Sequence, residues 1–266
     1  MAESFRLYRQ FVAIALRARL QYRSDFLIGI ISVILLNIVN LTLIWVLLSR
    51  FTSLKGWSYW EVAMLYSMYL TSHSIYAVFF WHITTLEDDI ISGRFDQYLV
   101  RPCSPFVQFL GRELNYMGVG DFLIATAVFI IAYQNLNLYW TAGQWGFYGL
   151  ALLAGVVIET SIALLISITS FWTGRSMQLY RLSLRFSILT QQYPIDMFGR
   201  WYQLFVTGLL PVAFMNYYPL SALLGKHNGL EIPLLGWLSP LVALLLLFIV
   251  SRFWRIGLRA YASSGS

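Results

Sequence analysis

Three groups of residues in this 266-residue chain are ionisable or nucleophilic where their neighbours are not. The densest is "LEDDIISGRFDQYLVRP", which gathers Glu87, Asp88, Asp89, Arg94, Asp96 and Arg101 into one charged island. The second consists of lone acids in apolar tracts: Glu159 within "GVVIETSIALL" and Asp121 directly after "MGVG". The third comprises His73, His82 and the single cysteine, Cys103. None has the spacing of a catalytic or metal device. His73 and His82 lie on opposite sides of a helix, about 180° apart, so a shared metal is not expected. One cysteine supplies neither an intrachain disulfide nor paired thiolates for zinc or iron–sulfur. There is no HExxH, no loop-borne Ser/His/Asp set and no carboxylate pair placed for hydrolysis. A phosphate-cradling G-x-x-x-x-G-K-[ST] loop fails as well. Gly225-Lys226 is followed by His227 where Ser or Thr is needed, Leu220 stands in the first glycine's place, and Lys55 is followed by Gly56. The chain is thus expected to be no enzyme and to hold no cofactor or metal of its own.

The remaining sequence says what must position these groups. It is 59% hydrophobic and 11% charged, whereas a soluble domain carries roughly 25% charged residues. Twelve acids and eighteen bases cannot cover a soluble surface of this size, so the composition is that of a membrane protein. The net charge of +6 does not point to nucleic acid, since Lys55 and Lys226 are the only lysines and no basic cluster sits in a polar, aromatic-interleaved context.

A helix crossing the hydrocarbon core needs about 20 mostly apolar residues. Tracts of that kind run from Phe26 to Ser49, Ser58 to Ile83, Phe106 to Tyr133, Gly146 to Trp172 and Leu234 to Trp254. Residues 173–233 are mixed and admit two assignments. Either 176–193 crosses and 201–225 re-enters from the far side, or 176–193 lies on the near surface and 201–225 crosses. Both give six crossings with the two termini on one side. Before the first span, residues 1–25 place Phe5, Tyr8, Val12 and Leu16 on one helical face and Arg6, Arg9, Gln10 and Arg17 on another, the pattern of a helix lying in the interface. Arg17 and Arg19 interrupt the run "FVAIAL", so no cleaved leader is expected. Arginines gather at the N-terminus, at Arg94 and Arg101, at Arg175, and at Arg252, Arg255 and Arg259, all on one side of a six-span arrangement; the other side has Arg50, Lys55 and Lys226. The positive-inside rule makes both termini and the charged island cytoplasmic.

Within the island, Thr84 and Glu87 have the spacing of a capping box. Glu87, Asp88 and Asp89 would then occupy the first turns of a short helix, where the dipole favours carboxylates. Gly93 sits where a left-handed cap is wanted, and Arg101-Pro102 with Pro105 stops any helix before the next span. Leu86, Ile90 and Ile91 give this helix an apolar side, followed by Phe95, Tyr98 and Leu99. Such a loop could merely hold two spans in register, or it could be a docking surface.

The island and its setting resemble the membrane-spanning permease of type-2 ABC exporters. An interfacial N-terminal helix, six spans, a short cytoplasmic helix between spans two and three, and the sequence "IISGRFDQYLVRPCSP" carry the likeness; Ile91, Gly93, Phe95, Asp96, Leu99, Arg101 and Pro102 match a bacterial branch that includes viologen and drug exporters. "YPIDMFGRWYQLFVTGLLPVAFMNYYPLSALLG", residues 193–225, resembles that family's proline-punctuated region before the last span. The resemblance implies an all-α polytopic membrane protein with one permease domain over 1–266. It would have a coupling loop at 84–102 and an extracellular re-entrant region at 194–225, with Pro211 and Pro219 in a gate. It implies that Leu86, Glu87, Asp88, Asp89, Ile90, Gly93, Arg94, Asp96 and Arg101 meet an ATPase. ATP and Mg would be bound by two separate ATPase subunits, beside a second permease chain in a homodimer or a related heterodimer. The location would be the bacterial cytoplasmic membrane and the substrate small and amphipathic or hydrophobic.

Ionisable groups at membrane depth are functional candidates by default. Glu159 could meet a lipophilic cation in a substrate pathway or make a packing hydrogen bond, and Asp121, beside close-packing glycines, favours a structural contact. Arg112 and Glu113 fall in the first turns of span three, to snorkel or pair with other helices. Two rivals remain: an ion-coupled secondary transporter relaying through Glu159 and Asp121, for which no inverted repeat is evident, and a non-transporting membrane scaffold.

Overall fold

The computed structural model describes residues 23–50, 55–102, 104–226, 229–230 and 232–261. The expected interfacial helix lies outside the described residues as far as residue 22, and Arg23 already belongs to the first helix. That helix, α1, spans Arg23–Arg50, and α2 spans Tyr59–Phe80. The charged island contributes α3 (Leu86–Ile91) and α4 (Asp96–Leu99), followed by α5 (Pro105–Leu110) and α6 (Met117–Asn135). Then come α7 (Ala142–Ile168), α8 (Ser170–Thr173), α9 (Met177–Gln192), α10 (Arg200–Leu204), α11 (Tyr217–Leu223) and α12 (Ser239–Ala260). There is no strand among the described residues.

Two helix starts are fixed by reciprocal caps. The Ser58 hydroxyl accepts from the Glu61 amide while Glu61 accepts from the Ser58 amide, and Thr141 and Gln144 repeat the arrangement at α7. Each satisfies two of the donors that a helix start leaves without an intrahelical partner. Among the described residues four helices are long and apolar enough to cross a membrane, Leu27–Ser49, Met117–Asn135, Ala142–Thr173 and Ser239–Ala260, and the bent pair Arg200–Leu209 and Val212–Leu223 makes a fifth if it is one span. The most buried of the long helices is none of these. α2 has its residues from Val62 to Ser72 all buried, so its serines, tyrosines and His73 answer to protein rather than lipid. It packs against α6 and α7; α1 covers α6, and α12 covers α7.

The contact of α2 with α6 is a backbone-to-backbone approach. A Cβ on Gly118 would lie 2.7 Å from the Ser74 carbonyl oxygen and 3.0 Å from the Val78 nitrogen, neither of which can swing aside. Gly118→Val should therefore separate the two helices at a cost of about 3 kcal/mol. Thermal unfolding of the detergent-solubilised protein checks this; an unchanged midpoint would contradict it.

Two boundaries differ from the expected ones. The tract 106–133 is not one helix: α5 ends at Leu110, with Gly111 as its cap, and α6 starts at Met117. In the break Arg112 turns toward the island and the Asn115 amide donates to the Val78 carbonyl at 3.0 Å. A half-buried guanidinium without a partner is costly, and Arg112 reaches its buried partner Asp89 by leaving the helical path.

The mixed region can be followed from one end of the bundle to the other. α9 starts beside Glu87, past the C-terminal end of α2, and the chain beyond it reaches the opposite end, where Asp196 meets Lys55 and Trp57. α10 then runs inward into a π-helical stretch at Phe205–Leu209 and turns through 79° around Pro211 into Val212–Leu223. Lys226 donates to the Gly56 carbonyl and pairs with Glu61, so the chain leaves where it entered. Pro233 and Pro240 sit in the first turns of the next two helical segments, where a missing N–H costs nothing.

Candidate functional site

The island folds as a tied-down unit. Its helix follows a 3₁₀ turn at Trp81–Thr85, which already engages the early amides, and the expected Thr84–Glu87 box does not form. The Thr84 hydroxyl donates to the Trp81 carbonyl at 2.9 Å, and Thr85 at the cap position makes no side-chain cap bond. Glu87 serves a different helix: its carboxylate accepts from the Ser176 and Met177 amides at 2.5 and 2.6 Å, at the start of α9. Burial raises this carboxyl, but the two amides, the Ser176 hydroxyl and Arg175 outweigh it and hold it below the ordinary glutamate range. A group with a depressed folded pKa adds stability at pH above the ordinary range. That contribution is lost as the pH falls through the range toward the folded value.

Asp89 is fully buried and locked by two guanidinia. Arg94 Nε reaches it at 3.0 Å, and Arg112 Nη1 bonds its other oxygen. Arg112 also reaches the Thr85 hydroxyl at 2.9 Å and Glu113 at 2.7 Å. Gly93 has φ +70°, the left-handed turn that lets the Phe95 amide return to the Asp89 carbonyl at 3.0 Å. Phe95 is then buried among Phe171, Trp254 and Tyr261, and the Tyr261 hydroxyl donates to Asp96 at 2.8 Å.

This placement divides the expected contact residues. Leu86, Asp89 and Ile90 are buried, the two apolar ones with Phe95 in a cluster that also holds Phe109, Phe171 and Trp254, so these three do not present a surface to a partner. The exposed residues include Asp88, Ile91 (57% exposed), Arg94, Leu99, Val100 (83%) and Arg101. Ile91, Leu99 and Val100 thus form apolar points among charges. Sequence reasoning missed Val100 and the Asp89–Arg112 pair. Only the clustering of acids and arginines at both ends of residues 87–113 hinted at that pairing.

The lone acids lie elsewhere. Glu159 is 9% exposed and meets His73 Nδ1 at 2.6 Å, with the His73 ring stacked on Tyr69. Its second oxygen is buried without a partner, beside a small cavity that Tyr180, Ser183 and Ser187 also line. Asp121 accepts from Asn37 at 2.7 Å, and Asn37 in turn accepts from Tyr66, a chain that ties α1, α2 and α6 together. His82 is separate, edge-on to Phe109. No group of three or more potential metal ligands occurs among the described residues. His73→Phe strands a buried carboxylate and should lower stability by about 3 kcal/mol, while the double change with Glu159→Leu recovers most of it. Unfolding midpoints of the four proteins of that cycle test this, and equal losses in the single and double variants would contradict it.

Comparison with known proteins places the whole arrangement. No curated protein and no solved structure matches the chain. A family profile described as "ABC-2 family transporter protein" matches residues 34–265, which takes in the island, both lone acids and the bent segment around Pro211. The chain belongs to that family and is a membrane-embedded transport subunit of an ABC system, not its ATPase.

Proposed function

We propose that this chain is the permease of an ATP-driven exporter, with the exposed edge of 86–101 as the surface that meets a separate ATPase subunit. The observation that carries the reading is the Glu87 carboxylate, which fastens this loop to the first turn of α9. A push on Asp88, Ile91 or Val100 is delivered through a buried, ion-paired unit to the start of a helix that runs the length of the bundle. Two ATPases closing on ATP would move α9 and switch a pathway between two permease chains from inward-facing to outward-facing.

On this reading α1, α2, α6, α7, α9 and α12 make six crossings of the bacterial inner membrane. The island is cytoplasmic, and residues 194–225 re-enter from the outer side with Pro211 and Pro219 at a gate. A crossing by the short α9 is supported by Tyr180 near its start bonding Tyr76 near the end of α2, and by Asn216 bridging the Thr190 and Leu65 carbonyls toward the other end. The substrate is small and amphipathic or hydrophobic. In proteoliposomes, uptake into inside-out vesicles should require both the ATPase subunits and ATP. Uptake driven by an ion gradient with this chain alone would overturn the proposal in favour of a secondary transporter.

A further inference from the structure

The face of α9 turned away from the bundle carries Gln178, Arg181 and Arg185 along its centre, flanked by Leu182 and Leu189 on one side and Ile188 on the other, all exposed. The spacing i, i+3, i+7 makes this one stripe of the helix. Neither arginine has a hydrogen bond, ion pair or ring contact among the described residues. Arg185 lies about 12 Å along α9 from Met177. Ser183 and Ser187, on either side of it in sequence, line the cavity beside Glu159, so Arg185 sits at the depth of the buried His73–Glu159 pair.

A guanidinium at that depth cannot face hydrocarbon; it belongs beside water, a counter-charge or both. The chain's own described acids do not supply the counter-charge. Glu159 is held by His73 and Asp121 by Asn37, Glu61 by Lys226, Glu113 by Arg112, Asp96 by Tyr261 and Asp196 by Trp57, while Glu87, Asp88 and Asp89 belong to the island. A second copy packed on this face through its own α9 would add further arginines. Among the described residues no acid pairs with Arg181 or Arg185, which points to a ligand as the source of the counter-charge.

We propose that Arg181 and Arg185 form an anion-recognition site in the transport pathway, and that the exported substrate is an amphipathic anion. Its carboxylate, sulfonate or phosphate group is held by the guanidinium forks, and its apolar body lies on Leu182, Ile188 and Leu189. This inference rests on the export reading and replaces the cationic substrate that Glu159 taken alone suggests, since His73 holds one oxygen of the Glu159 carboxylate and the cavity beside the pair is small.

The test uses two probes with one apolar body. 1-Anilinonaphthalene-8-sulfonate carries the anion, and N-phenyl-1-naphthylamine lacks it. Binding of each to the full chain in phosphatidylcholine nanodiscs is read by fluorescence against empty nanodiscs. Wild type should bind the sulfonate saturably. Arg181→Gln/Arg185→Gln should weaken that binding about tenfold or more, Arg181→Lys/Arg185→Lys should retain most of it, and binding of the neutral probe should be the same in all three. Equal sulfonate binding in wild type and the glutamine variant would overturn the proposal. So would loss of both probes together, which would assign the arginines to folding. Phosphatidylglycerol that abolishes sulfonate binding only where the arginines are present would assign them to lipid and overturn it as well. Because binding is read without ATP, its failure leaves the ATP-driven reading standing, and a failure of ATP-driven uptake leaves the binding result standing.

Discussion

Arg112→Met is expected to destabilise the protein by about 3 kcal/mol and to loosen the island before the rest of the bundle. The reason is asymmetry in the ion pair. Asp89 is fully buried, whereas its other partner, Arg94, is 57% exposed on its side chain and contributes the small amount expected of a screened surface charge. Removing Arg112 therefore leaves an interior carboxylate nearly uncompensated. It also frees the Thr85 hydroxyl and Glu113 from their shared partner. The double variant Asp89→Leu/Arg112→Met should lose much less than the sum of the single changes, because no charge is stranded. Unfolding midpoints together with protease nicking between residues 86 and 102 distinguish these outcomes. Additive losses in the double variant would show that the pair is not coupled.

Glu87→Ala has a different signature. Its carboxylate is the only described side chain that caps the start of α9, and losing such a cap costs about 1–2 kcal/mol. That is too little to unfold the chain. Applied to the link between loop and helix, it should shift the population of engaged α9 about tenfold. The expected result is a complex that still assembles with its ATPase and still hydrolyses ATP, with transport per ATP reduced about tenfold. Glu87→Gln keeps the acceptor oxygen without the charge and should fall between wild type and alanine. Wild-type coupling in the alanine variant would show that force reaches the spans by another route.

Much of the architecture was legible because it rests on local rules. Tract length and apolarity located α1, α7 and α12, and the glycine at 93 announced a turn that only a residue without Cβ takes easily. Arg101-Pro102 and Pro105 marked the start of α5 in the same way. What stayed hidden was long-range. The Thr84–Glu87 spacing names groups that could pair, but it cannot reveal that amides of Ser176 and Met177 will arrive to compete for the same carboxylate. The apolar side of α3 looked available for a partner, and it is covered by the chain itself through the packing of Phe95 on Phe171 and Trp254. The break at 111–116 also followed from a distant partner, since Arg112 leaves the helix to reach Asp89.

The lone acids teach the complementary lesson. Membrane depth singled out Glu159 and Asp121 as exceptional, and both are exceptional, but depth alone does not reveal the partner. His73 and Asn37 are ordinary residues in their own segments, and their roles come only from the crossing of α2 with α7 and of α1 with α6. The arginines of α9 drew no attention in sequence because they fell in a tract of mixed polarity.

The central claim is that the exposed edge of the island is where an ATPase subunit docks. Its most direct measurement is ATP hydrolysis by the ATPase subunits reconstituted with this chain carrying Asp88→Lys and Ile91→Asp. Both positions are exposed and neither belongs to the buried network, so the chain should insert and unfold like wild type. The prediction is loss of co-purification with the ATPase and a return of hydrolysis to the rate of the ATPase alone. Undiminished co-purification and undiminished stimulation in that variant would contradict the claim.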